Sequence, residues 1–243
     1  MKMEPVASVE AMLEHYNRNP VLRALVQLLF PFFGTAADIA LVETYGQMLQ
    51  DRIRVFFDEL GCGDIPLTED LLKSQDFIHC FMCTFRAVIR THQQEKLELF
   101  ARLLKSTATI STYSKHAVDE YEEHLSILND MSSREWQILD LIYSFETSCP
   151  KQANENSVQC AMRYWPQLRK ELITRELTME NQVNSFLARL NRTGCYVTFT
   201  GDYMSYSGDM GRTTETYRKL RSLVARESNS AFTGSSVSPD EKV

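Results

Sequence analysis

Glycine is scarce in this chain, with nine in 243 residues, and no phosphate-cradling loop can be assembled from them. Gly61-Cys62-Gly63-Asp64 lacks the Lys and the following Ser/Thr that such a loop uses on phosphate and magnesium. Long apolar runs are missing too. The clean apolar stretch from Ala24 to Ala37 is shorter than the roughly 18–20 residues that cross a bilayer, and Pro31 and Gly34 interrupt it. The opening MKMEPVASVE lacks the apolar centre of a secretion signal, and the six cysteines (62, 80, 83, 149, 160, 195) follow no regular framework. Both absences point to a reduced, cytoplasmic protein.

A catalytic constellation is missing as well. No nucleophile pairs with a base, and the acids at Glu120, Glu122 and Glu123 read as a hydrated helix face. His79, Cys80 and Cys83 come nearest to a metal-ligand pattern, with the two thiols at i and i+3. They sit inside FIHCFMCTF, among core residues, and no second Cys/His pair follows at ligand spacing. Two buried thiols are expected there, with no metal and no cofactor. His92, His116 and His124 fall on polar helix faces and read as solvated. The expectation is a protein that is not an enzyme.

What is present is ordinary for a globular chain, with one asymmetry. Apolar residues at 44% suffice for one large core or two modest ones. The formal charge of −6 is uneven: residues 1–132 carry a net −7 and residues 133–226 a net +3. A sign change between halves hints that the second half meets a polyanion.

Helical periodicity runs through the first 130 residues. Val9, Met12, Leu13 and Tyr16 stripe one helix, and Pro20 suits the first turn of the next. Val42, Gly46, Leu49, Ile53, Phe56 and Leu60 share a face of a long helix that ends at Gly61. Thr68 opens a short helix, and Phe77, Phe81, Thr84, Phe85 and Val88 stripe another. Thr91 and Gln94 form a capping-box pair that breaks the chain before Leu97, Phe100, Ala101 and Leu104. Val118, Tyr121, Leu125 and Leu128 face inward on the helix after that. No strand-like alternation appears in this part, so residues 1–130 are expected to form an all-α domain.

The second half begins with a strong local signal. Ser132 and Glu135 form a capping box, and Met131 can staple onto Trp136. The helix through Phe145 is apolar nearly all round and belongs at the centre of a small domain. Lys151 to Val158 reads as a loop, and Pro166 as the first turn of a helix over 166–177. Thr178 can cap a helix with Val183, Leu187 and Leu190 inside, and Gly194 is placed to end it in the left-handed conformation. Cys195, Val197 and Phe199 alternate with Tyr196 and Thr198 as a half-buried strand, with a glycine-rich turn and a return strand after it. A last helix buries Tyr217, Leu220 and Val224, and residues 227–243 read as a disordered tail.

Leu177-Thr178, Val183, Leu187, Leu190 and Gly194, followed by an apolar strand, imitate a turn residue and then V-x-x-x-L-x-x-L-x-x-x-G. On those residues, and on the order helix, helix, helix, hairpin, helix, the stretch 131–226 resembles the winged helix-turn-helix family. The stretch between Phe145 and Pro166 is longer than the connection usual in that family. The whole fold is then mainly α: a helical N-terminal domain followed by a winged-helix-like module with one β-hairpin. The resemblance implies a DNA-binding or transcription-associated role, with helix 178–193 in the major groove and the hairpin at the backbone. Its candidate nucleic-acid contacts are Asn181, Gln182, Asn184, Ser185, Arg189, Arg192 and Arg212. Asp202 and Asp209 on the wing oppose phosphate contact, so a homo-oligomer or a basic partner is expected.

Two other readings stand beside this one. The first is a protein-interaction scaffold in which both domains bind protein partners. The second is a membrane-acting effector of a bacterial defence system that uses the apolar segment 21–45.

Overall fold

Apolar side chains three and four apart, and few prolines or glycines between them, leave most of this chain no choice but helix. The computed structural model describes residues 14–16, 18–28, 41–62, 67–108, 115–199 and 210–225. The first expected helix, the middle of the 21–45 segment, the turn of the hairpin and the C-terminal tail lie mostly or wholly outside the described residues. Within them are nine α-helices and one two-stranded antiparallel sheet.

Helix α1 spans Pro20–Leu28 and buries Val21, Leu22, Leu25 and Val26. The Asn19 side chain caps it, its Oδ1 accepting from Val21 and Leu22 N–H. Helix α2 spans Leu41–Gly61. A short 3-10 turn over Glu69–Lys73 leads to α3, Gln75–Arg90, which Ser74 caps through Phe77 N–H at 3.3 Å. Thr68 precedes the 3-10 turn without making the side-chain bond expected of a cap. Helix α4 spans Gln94–Thr107 and α5 Lys115–Asp130.

The first core draws on these five helices, with α4 at its centre. Leu97, Phe100, Ala101, Leu103 and Leu104 are fully buried, and Leu99 is nearly so. It packs on α2, α3 and α5, and on the C-terminal helix. Arg102 of α4 donates to both Glu59 of α2, at 2.6 Å, and Glu98, at 2.8 Å.

The second core begins at α6, Ser133–Ser148, whose Ser132–Glu135 capping box forms as expected. Helix α7 spans Ser157–Thr174 and α8 Val183–Arg192. Strands β1, Tyr196–Thr198, and β2, Gly211–Thr213, pair with Val197 opposite Arg212. Helix α9, Glu215–Val224, closes the chain. Tyr217 of α9 lies in the second core, while Leu220 and Val224 lie in the first. One helix of ten residues therefore closes both cores. Trp136 and Ile127 also touch both.

Further local expectations change. Helix α7 begins nine residues before Pro166, so part of the expected loop is helical and the proline sits in its interior. Asn156 and Gln159 form a second capping box that nucleates the helix upstream. A proline there removes the hydrogen bond to the Met162 carbonyl and crowds that carbonyl, and the buried Tyr164, Trp165 and Leu168 hold the helix together across it. Thr178 does not cap α8: its hydroxyl donates to Met179 O, and a 3-10 turn over Glu180–Gln182 starts the helix instead. Thr91 ends α3 but makes no box with Gln94. Gln93 Oε1 accepts instead from the N–H and hydroxyl of Ser133. Finally, His124 is 5% exposed rather than solvated, and burial holds its pKa below the usual imidazole value.

Candidate nucleic-acid interface

Val183, Leu187 and Leu190 recur at four and three residues along α8, so a single stripe of the helix is buried. Asn181 and Gln182 in the preceding turn are exposed, as are Asn184, Ser185, Arg189 and Arg192 on α8 itself. Arg212, on β2 opposite Val197, is exposed too. All seven residues singled out from the sequence thus stand at the surface, six of them on one short segment. Glu180 is exposed among them and is the acid of that segment.

The chain enters and leaves α8 through two left-handed residues. Glu176 has φ 56°, with its N–H bonded to Ile173 O at 3.0 Å and that of Leu177 to Leu172 O at 3.0 Å. This closes α7 with the paired bonds that usually use glycine. Gly194 has φ 74° and bonds Asn191 O at 3.2 Å. The Thr193 hydroxyl donates to Leu190 O at 2.7 Å and accepts from Cys195 N–H at 3.2 Å. The Thr214 hydroxyl donates to Gly194 O at 2.7 Å and accepts from Tyr217 N–H at 3.3 Å, capping α9. The end of α8 and both ends of the hairpin are therefore held by short polar bonds.

Helix α6 supplies the support behind them through three acids. Glu135 Oε1 lies 3.1 Å from Arg189 Nε of α8. Asp140 Oδ1 accepts from Arg221 Nε of α9 at 2.6 Å and from the Tyr217 hydroxyl at 3.5 Å. Glu146 grips β2 with both oxygens, accepting from Thr213 N–H at 2.7 Å and from its hydroxyl at 2.5 Å. Arg218 of α9 reaches the same carboxylate at 3.4 Å. Burial pushes the Cys195 thiol up, and burial together with Asp140 pushes the Tyr217 phenol well above its usual range.

The cations of the surface fall into two groups. Arg134 of α6 donates to Leu177 O and stacks 4.3 Å over the Phe186 ring. Arg189 lies 5.7 Å from the centre of the same ring and is tied to Glu135. Arg192 and Arg212 make no ion pair among the described residues. No family model, curated protein or solved structure matches the chain. The chemistry of the surface therefore rests on its own residues: Asn and Gln match adenine edges, and Arg matches guanine edges and phosphate.

Four residues of this architecture escaped the sequence reading in their supporting roles. Arg134, Asp140, Glu146 and Phe186 carry no local motif, and Glu135 was legible only as a helix cap. Among the described residues, the group of His, Cys and acidic side chains close enough to share one ion lies elsewhere, at His79, Cys83 and Glu122 of α3 and α5.

Proposed function

We propose that the protein is a non-enzymatic, transcription-associated protein of the cytoplasm that binds duplex DNA through α8, in the manner of a winged helix. In this reading α8 lies in the major groove, with Asn181, Gln182, Asn184 and Ser185 toward base edges and the β1–β2 hairpin toward the backbone. One observation carries the reading: α8 buries its apolar stripe in its own core and bares a continuous surface of amide, hydroxyl and guanidinium groups. Arg192 and Arg212 are the phosphate contacts, because no acid neutralises them among the described residues. Two such contacts per chain support only weak binding, so a homo-oligomer that presents several copies of α8 completes the site.

Fluorescence anisotropy of a labelled duplex, titrated with the whole chain, tests this. Affinity falls as salt rises from about 50 to 200 mM, and Arg192→Ala or Arg212→Ala each lowers the slope of log affinity against log salt by about 0.9 for every copy of the chain on the duplex. Absence of binding at the low-salt end removes the proposal.

A protein partner is the second reading, and one observation favours it. Met179, just before the turn into α8, is 64% exposed, and Val197 on β1 is 39% exposed. Large apolar side chains beside a polar helix suit a protein contact. Met179→Ser weakens such a contact and leaves DNA binding unchanged. The membrane reading gains no support: Val21, Leu22, Leu25 and Val26 pack into the first core, and no described helix is long and apolar enough to cross a membrane.

A further inference from the structure

His79 and Cys83 stand at i and i+4 on α3, one above the other on the same helix face. Cys80, three residues before Cys83, turns the other way: it is fully buried, and burial pushes its thiol up to about 12, as befits a core residue. Cys83 is only partly buried, contrary to the expectation of two buried thiols. Glu122 meets it from α5. His79 Nε2 lies 2.6 Å from Glu122 Oε1, Cys83 Sγ lies 3.6 Å from His79 Nε2, and Cys83 Sγ lies 3.8 Å from Glu122 Oε1. One imidazole nitrogen, one sulfur and one carboxylate oxygen thus form a closed triangle.

The triangle has a rigid back. Thr84 and Tyr121, the next residues along α3 and before Glu122 on α5, are buried and hydrogen-bonded to each other through their hydroxyls. The Thr84 hydroxyl is also tied to Cys80 O at 2.7 Å. The Thr84–Tyr121 bond joins the two helices at the height of the triangle. Its front is open: the side chains of His79 and Glu122 are 52% and 48% exposed. A groove of about 250 Å³ runs beside it, lined by Cys83 and Glu122 together with Arg86, Arg90, Ser126 and Asn129.

We propose that His79, Cys83 and Glu122 form a binding site for a zinc-class divalent cation, with the fourth coordination position opening onto this groove. Tetrahedral zinc with nitrogen, sulfur and oxygen ligands sets its ligand atoms roughly 3.3–3.6 Å apart, from its ordinary bond lengths. The two separations that involve sulfur are already within a few tenths of an ångström of that. The His79–Glu122 pair must open by about 0.7 Å, and a half-exposed glutamate side chain on a fixed helix moves that far by rotation alone. A thiolate and an imidazole select zinc over magnesium or calcium, which prefer oxygen. Thiolate and carboxylate together carry two negative charges, which match the ion. Arg86 and Arg90 beside the groove suit a water or a small anion as the fourth ligand. The site is independent of the DNA-binding proposal and involves none of its residues.

Cobalt(II) is the probe. The whole chain, reduced and stripped of metal, is titrated with cobalt(II) and then with zinc. One equivalent is expected to give a sulfur-to-cobalt charge-transfer band in the near ultraviolet and tetrahedral bands in the visible. Stoichiometric zinc removes both. Cys83→Ser abolishes the charge-transfer band and, like His79→Gln and Glu122→Gln, weakens binding by more than the roughly 10–100-fold that loss of a residue supporting a ligand costs. Cys62→Ser, which alters an exposed thiol outside the triangle, changes nothing. Circular dichroism of each variant verifies the fold, and the unaltered chain decides the matter even if a variant fails to fold. Lack of saturable one-equivalent binding by the unaltered chain overturns the site, as does a charge-transfer band that survives Cys83→Ser. Unchanged affinity in Glu122→Gln overturns it as well.

Discussion

Glu135 Oε1 sits 3.1 Å from Arg189 Nε, while its Oε2 accepts from the N–H and hydroxyl of Ser132 at 2.8 Å each. One carboxylate, 3% exposed at its side chain, therefore starts α6 and anchors the exposed face of α8. Removing it leaves the Ser132 N–H without its partner and Arg189 without its anchor. Glu135→Ala is expected to cost about 1–3 kcal/mol, read from the urea midpoint. Glu135→Gln keeps one hydrogen-bond acceptor for Ser132, removes the charge and turns the second oxygen into an N–H donor that cannot pair with Arg189. It should destabilise less and, by releasing Arg189, strengthen DNA binding in the anisotropy titration.

Gly211 faces Val197 O and the Tyr196 ring so closely that a Cβ there would overlap both. The overlap with backbone cannot be relieved by turning a side chain, so Gly211→Ala must push β2 away from β1. A loss of about 1–3 kcal/mol is expected. Amide exchange at Phe199, whose N–H bonds Met210 O at 2.9 Å, should accelerate before that of α6.

Glu176 occupies a left-handed position where glycine is the unstrained choice. Its side chain is exposed, so little contact is lost on replacement. Glu176→Gly should stabilise the protein by about 0.5–1 kcal/mol in thermal or urea unfolding. Destabilisation would mean that the exposed glutamate makes a contact worth more than the strain.

Burial holds the His124 pKa below its ordinary 6.5. The folded state then binds fewer protons at this site than the unfolded one, so stability rises with pH across the gap. It is fully present above about 6.5 and declines as pH falls from there toward the folded value. Urea midpoints measured from neutral to mildly acidic pH should show this slope, and His124→Gln should flatten it.

Leu220 and Val224 of α9 pack in the first core, whereas Tyr217 of the same helix lies in the second. Leu220→Ala is expected to cost about 2–5 kcal/mol. If α9 couples the cores, amide exchange rises in α4 as well as in α6 and α9. A response confined to α9 would show that the cores open independently.

Local chemistry accounts for much of what was legible. The Ser132–Glu135 box, the left-handed Gly194, Pro20 at the head of α1 and the stripe Val183, Leu187, Leu190 each depend on residues within one or two turns. Such patterns determine that the chain is mainly helical, roughly where each helix starts and stops, and which face of α8 is apolar. Where a local signal failed, a stronger neighbour had displaced it. The Asn156–Gln159 box outweighed Pro166 as a helix start, and Gln93 turned to Ser133 instead of leaving the cap to Thr91.

Contacts across long separations followed a different rule. Glu135 with Arg189, Glu146 with Thr213, Asp140 with Arg221, and Cys83 with Glu122 join residues 39 to 81 positions apart. No periodicity relates such residues, because their meeting depends on how two helices cross rather than on either helix alone. The sequence by itself determined the helices and their apolar faces, since hydrogen bonds and side-chain stripes repeat every few residues. Only the tertiary structure decided that His124 is inside, that Cys83 faces His79 and Glu122, and that α9 belongs to both cores, because packing chooses among faces that the sequence leaves equivalent.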